Sequence, residues 1–180
     1  MVDDDLIPAG RVFAAVRPPP EVVAALDERL AALPIPGRPV PPPNWHVTLR
    51  FVGHVEEVAY QRWLAELDSA DLPSPFRLSL SKLGAFPRPA RATVLWVGVE
   101  GDGRLERLAE AVDEAADGAG LGREERPFWP HLTISRVRPP ADVRGLMSED
   151  HAWELPFRVG EFHVMAAQGR RYRIYETFSL

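Results

Sequence analysis

The chain has no cysteine. That absence excludes disulfide bonds, thiolate nucleophiles and Cys-ligated zinc. No run of about 18 apolar residues is present, so no transmembrane helix is expected. A basic excess is also missing: 26 Asp and Glu stand against 21 Lys and Arg, for a net charge of −5. This excludes a broad basic face that grips duplex nucleic acid non-specifically, but leaves room for a local basic cleft holding one phosphate or a strand end. Low-complexity repeats are lacking, and the 19 prolines cluster at element boundaries as punctuation. The stretch Met1-Val2-Asp3-Asp4-Asp5 is acidic and no apolar signal core follows it, so a cytoplasmic protein is expected.

Histidine and threonine are scarce, at five and four, and the few are not scattered. Two of the four Thr stand two residues after a His, in His46-Val47-Thr48-Leu49-Arg50-Phe51 and in His131-Leu132-Thr133-Ile134-Ser135-Arg136. Each stretch alternates polar with large apolar side chains, so as a strand it has one chemical face and one core face. The copies lie 85 residues apart, nearly half of the 180.

The rest of the chain repeats around them. Arg11–Val16 reads as a strand, and Glu21–Leu33 as a helix with Val22, Leu26 and Leu30 at helical spacing. A proline-rich extended connector, from Pro34 to Pro43, leads into the first motif strand. Glu56–Leu67 is a second helix, Phe76–Leu80 a half-buried strand, and Thr93–Val99 a central strand. Arg104–Ala119 is helical and stops at Gly118 and Gly120, and a short helix is expected near Val143–Met147. Phe157–Met165 and Tyr172–Phe178 close the chain as two strands of a hairpin. Strand, helix and motif strand begin at 11, 21 and 46, then at 93, 104 and 131, offsets of 82, 83 and 85. The expected fold is α+β, a single bilobal domain over 1–180. It has two pseudo-symmetric lobes, each an antiparallel-rich sheet with helices on its outer face and its motif strand in the centre. The cleft lies between the lobes.

One neutral and one protonated histidine on opposite sides of a phosphorus atom suit in-line displacement, each proton transfer contributing about 10²–10⁴ in rate. Thr48 and Thr133 can donate to non-bridging oxygens, and Arg136 can supply fixed positive charge. Strict alternation points Arg136 away from His131 and Thr133, so it reaches the phosphate only through a strand end or a bulge. By the same alternation Arg50 shares the face of His46, as a phosphate contact or a rim ion pair. Phe51, Trp45 and Trp129 are candidates for stacking a base or ribose or for the core, with core favoured for Phe51. His54, His151 and His163 have no partner pattern and read as surface or structural. Arg170, Arg171 and Arg173 read as backbone contacts or a solvated hairpin tip. Neither motif histidine has a carboxylate at ligand spacing, so no metal is expected.

Both His-x-Thr strands resemble those of the 2H phosphoesterase superfamily. Within it the chain is similar to the RNA 2′,3′-cyclic phosphodiesterases, also called 2′-5′ RNA ligases or LigT proteins. The resemblance rests on Val12–Val16, His46–Gly53, Leu83-Gly84-Ala85-Phe86-Pro87, Arg126–Arg136 and Gly169-Arg170-Arg171-Tyr172 through Phe178. It implies metal-independent hydrolysis of terminal 2′,3′-cyclic phosphates to 2′-phosphomonoesters, with 2′-5′ ligation in some members. His46 would be the general acid on the 3′-oxygen and His131 the general base on water, with Thr48, Thr133 and Arg136 on the phosphate. RNA ends are the implied partner, with no cofactor, no membrane and no obligate protein partner; a monomer is the default. The alternatives are a non-catalytic RNA- or nucleotide-binding module of the same fold, and a phosphodiesterase for small cyclic nucleotides.

Overall fold

The structure is a computed structural model that describes residues 8–148 and 153–180. Met1–Asp5 and His151 lie outside the described residues. In chain order the elements are β1 (Val12–Val16), α1 (Pro20–Ala31), β2 (Arg38–Pro39), β3 (Val47–Gly53), α2 (Glu57–Ser69), β4 (Phe76–Phe86) and β5 (Ala92–Glu100). They continue with α3 (Arg104–Gly118), β6 (His131–Ala141), β7 (Leu155–Val159), β8 (Glu161–Gln168) and β9 (Arg171–Ser179). A 3₁₀ turn at Arg144–Leu146 stands where the short helix was expected. None of the described helices is long and apolar enough to cross a membrane.

Periodicity explains the helices. Proline opens α1, where a missing N–H costs nothing, and Glu21 lies in its first turn. Val22, Leu26 and Leu30 of α1, Tyr60, Trp63 and Leu67 of α2, and Leu105, Leu108 and Val112 of α3 are buried. These stripes meet alternate residues of the strands, among them Val12, Ala14, Val47, Leu95, Leu132 and Val164, in one core. Each fully buried Leu or Val there contributes about 1.5–3 kcal/mol relative to exposure. The opposite sheet face carries a small second cluster of Phe13, Ala15 and Met165, with Tyr172 packed on it. All of β1 is buried because both of its faces are covered.

The strands form one antiparallel sheet in the order β7-β4-β5-β6-β3-β1-β8-β9, with β2 added to β6, curled into a half-barrel. Outward from the middle the halves match: β6-β5-β4-β7 on one side and β3-β1-β8-β9 on the other. The motif strands therefore do not lie in the centre of each lobe. They are the inner edges, joined at Val47↔Leu132, the residues that follow the two histidines. The closing segment also departs from expectation. Phe157–Met165 is not one strand, because the chain breaks at Gly160 and changes lobe, β7 pairing with β4 and β8 with β1. Each piece alternates, but the apolar phase slips by one at Gly160, from Leu155, Phe157 and Val159 to Phe162, Val164 and Ala166, and that slip marks the crossing. The proline-rich connector is extended in part: Arg38–Pro39 becomes β2 alongside β6, but Pro42–Asn44 turns as a 3₁₀ helix before the motif strand. Gly37, at φ +85°, lets it pass over the Arg136 carbonyl where a Cβ would meet backbone.

Candidate active site

Two irregularities in the pairing decide which side chains face the cleft. In β6, Thr133 pairs with Trp96 and Ser135 with Leu95, leaving Ile134 as an extra residue. In β3, Thr48 pairs with Ala15 and Arg50 with Ala14, leaving Leu49 extra. Leu49 and Ile134 are 85 residues apart, so the same bulge occurs in both copies. A bulge shifts side-chain parity by one. After it, Arg136 stands opposite Val94, two residues from Trp96, and shares the face of His131 and Thr133. Phe51 stands opposite Phe13 and shares the face of His46 and Thr48.

For Arg50 the ion-pair reading holds, but its face and its place at the rim are corrected. The bulge turns it to the helix side, where it is 8% exposed. Its Nε lies 2.8 Å from Asp113 Oδ1, and its Nη2 donates to the Gly122 carbonyl at 2.8 Å. The guanidinium also donates to the Phe51 carbonyl and reaches Glu124, 3.5 Å away. It ties α3 and the segment preceding Trp129 to β3, its charge answered by carboxylates, and it borders the compartment beside the cleft. Its counterpart Ser135 does the same in the other half, donating to the Pro36 carbonyl at 2.6 Å. The preference for Phe51 as core is corrected for the same reason: it is 44% exposed. Trp45 is buried, and its indole donates to the Val40 carbonyl.

His46, Thr48, His131, Thr133, Arg136 and Phe51 line one cleft of about 520 Å³, with Arg11 and Tyr172 at its edge. A neighbouring compartment of about 430 Å³ shares Thr48, Phe51 and His131 and adds Trp129, 61% exposed. Among the described residues no three His, Asp or Glu side chains form a metal-ligand set.

The imidazoles are held alike. His46 Nδ1–H donates to the Asn44 carbonyl at 2.7 Å, and His131 Nδ1–H to the Trp129 carbonyl at 2.6 Å. Each acceptor is two residues upstream, and with Nδ1 committed, Nε2 is the nitrogen free for chemistry. Aromatic rings wall both. Phe13 and Tyr172 lie 4.8 and 5.2 Å from His46, and Phe86 and Trp96 lie 5.1 and 6.1 Å from His131. Residue-by-residue reading missed these walls and the two carbonyls. The repeat register held one clue, since Phe13 and Trp96 are 83 apart.

Burial draws the His46 pKa down to about 4, against the pull of the Asn44 carbonyl; Arg17, His131 and Arg136 lower it further. Burial, and then Arg136, also lower His131, opposed by the Trp129 carbonyl. Of the other histidines, His54 is exposed, and His163 is buried with Nδ1 2.9 Å from Thr177 Oγ1.

A cleft with two oriented imidazoles, two hydroxyls and a guanidinium can place an anion between an acid and a base. A model of the 2′-5′ RNA ligase superfamily matches residues 18–171. The RNA 2′,3′-cyclic phosphodiesterase of Thermus thermophilus is 38% identical over 180 residues, 94% of this chain and 90% of that protein. The enzyme of the same name from Aeropyrum pernix is 36% identical over 126 residues, 69% of this chain and 71% of that protein. The structure is similar to E. coli LigT complexed with 3′-AMP, with a TM-score of 0.76 at 27% identity, covering 95% and 98% of the two chains. On the match to its family model and the identity to these relatives, the chain belongs to the 2′-5′ RNA ligase superfamily.

Proposed function

We propose that the protein hydrolyses terminal RNA 2′,3′-cyclic phosphates to 2′-phosphomonoesters without a metal ion. The observation that carries this reading is the matched pair of imidazoles, each with Nδ1 tied to a carbonyl, on either side of the Val47↔Leu132 join. His131 Nε2 takes a proton from water as its oxygen bonds to phosphorus. The bond from phosphorus to O3′ breaks, and protonated His46 delivers its Nε2 proton to O3′. Phosphorus stays on O2′. Thr48 and Thr133 hold the non-bridging oxygens, and Arg136 opposes the charge that builds up on them. Aromatic walls exclude water from the sides of both rings, which strengthens these interactions. A 5′-hydroxyl in place of water forms a 2′-5′ linkage by the same transfers, the joining reaction that the superfamily's name carries.

The test is incubation with an oligonucleotide ending in a 2′,3′-cyclic phosphate, in excess chelator, with the product identified by phosphorus NMR. The expected result is a 2′-phosphate, with His46→Ala and His131→Ala each slower by about 10²–10⁴. Absence of product, or full activity in either variant, refutes the reading.

A further inference from the structure

The two arms of the cleft can be compared position by position. Gly37 and Gly122 both take positive φ, +85° and +73°, and stand 85 residues apart. By that register Arg38 corresponds to Arg123 and Arg136 to Phe51. On the Arg123 arm the charge is neutralised: its guanidinium lies 3.2 Å from Asp113 and 3.7 Å from Glu114. Glu106 and Glu110 line the same compartment beside the exposed rings of Phe51 and Trp129.

The other arm is its chemical opposite. Arg38 stands directly across from Arg136 in the β2–β6 pair. Directly opposed side chains of antiparallel strands project to the same face, so both guanidiniums are on the cleft side. Like charges in that position disfavour the pairing unless something answers them. Both are exposed, and among the described residues neither has a carboxylate within ion-pair distance. Arg138, further along β6, is likewise exposed and has no carboxylate within ion-pair distance among the described residues. A protein of net charge −5 thus gathers, along β2 and β6, three arginines that have no carboxylate within ion-pair distance among the described residues.

We propose that this arm is the track of the RNA backbone. The phosphodiesters on the 5′ side of the cyclic end leave the cleft along β2 and β6, over Arg38 and Arg138. The terminal nucleoside lies toward Phe51 and Trp129. Resting on the reading given above, this makes the substrate a strand end in preference to a free cyclic nucleotide.

The experiment compares kcat/KM for 2′,3′-cyclic UMP and for a uridine hexanucleotide ending in a 2′,3′-cyclic phosphate. It uses the parent protein, Arg38→Ala, Arg138→Ala, the double variant, and Arg62→Ala on the exposed side of α2 as control. The parent is expected to favour the hexanucleotide. The double variant should lose about tenfold on it, and its log–log salt dependence should flatten by roughly 0.7 per arginine removed. Turnover of cyclic UMP should stay within about twofold, which also reports that the variants fold. Equal losses on both substrates, or an unchanged preference, overturn the track and leave the phosphodiesterase reading standing. Turnover of neither substrate by the parent removes both.

Discussion

His46 and His131 share one local design, yet burial and the nearby Arg17 and Arg136 hold His46 near 4, while His131 is lowered from 6.5. In the free protein both rings are therefore mostly neutral at pH 7. The kcat/KM profile reports the free protein's acid and base. With one ring required charged and the other neutral, it should be bell-shaped with its maximum below pH 6.5. A flat profile from pH 4 to 8, or a maximum above 7.5, contradicts the pairing where chemistry limits the rate. A bound anion favours the imidazolium, so inorganic phosphate should raise the His46 pKa in an NMR titration; an unmoved value separates His46 from the phosphate site. The folded state disfavours His46 protonation, so its stabilising effect is complete above pH 6.5 and fades as pH falls toward 4.

At the scale of the element, the bulges at Leu49 and Ile134 do the sorting. They bring Arg136 and Phe51 to the cleft and send Arg50 and Ser135 to the helix side. If Arg50 is a tether, Arg50→Ala should lower stability by about 1–3 kcal/mol, because the Gly122 carbonyl loses its donor while Asp113 keeps Arg123 and the Glu124 N–H, with KM little changed at a temperature where the variant is folded. A phosphate ligand would behave the other way, with KM raised and denaturation unmoved. The His-x-Thr pairs, the helices and the repeat were legible because each is a local pattern of spacing. Strict alternation failed at Arg50 and Phe51, since an unpaired residue in a ladder depends on partners far away in sequence. It did expose the problem at Arg136, whose parity made sense only with a bulge. The strand change at Gly160 left only a one-residue slip of apolar phase in the sequence, and which strands the two pieces join depends on partners far away.

In the whole molecule, both halves exchange strands and share one sheet. The last hairpin, β8–β9, completes the half that begins with β1, and β3 meets β6 at the middle. We propose that the chain is one folding unit, so calorimetry should show a single transition with equal calorimetric and van't Hoff enthalpies. Two resolved transitions would mean that the lobes unfold separately. The symmetry of this sheet places two imidazoles on one cleft, and the proposed mechanism gives them unequal roles. The most direct test replaces the leaving 3′-oxygen of the cyclic phosphate by sulfur, which departs without a proton. Rates for the oxygen and sulfur substrates are compared in the parent, His46→Ala and His131→Ala. The prediction is that sulfur restores His46→Ala to near the parent rate and leaves His131→Ala impaired. Restoration of His131→Ala instead, or of neither variant, would contradict the assignment of His46 as the acid and His131 as the base.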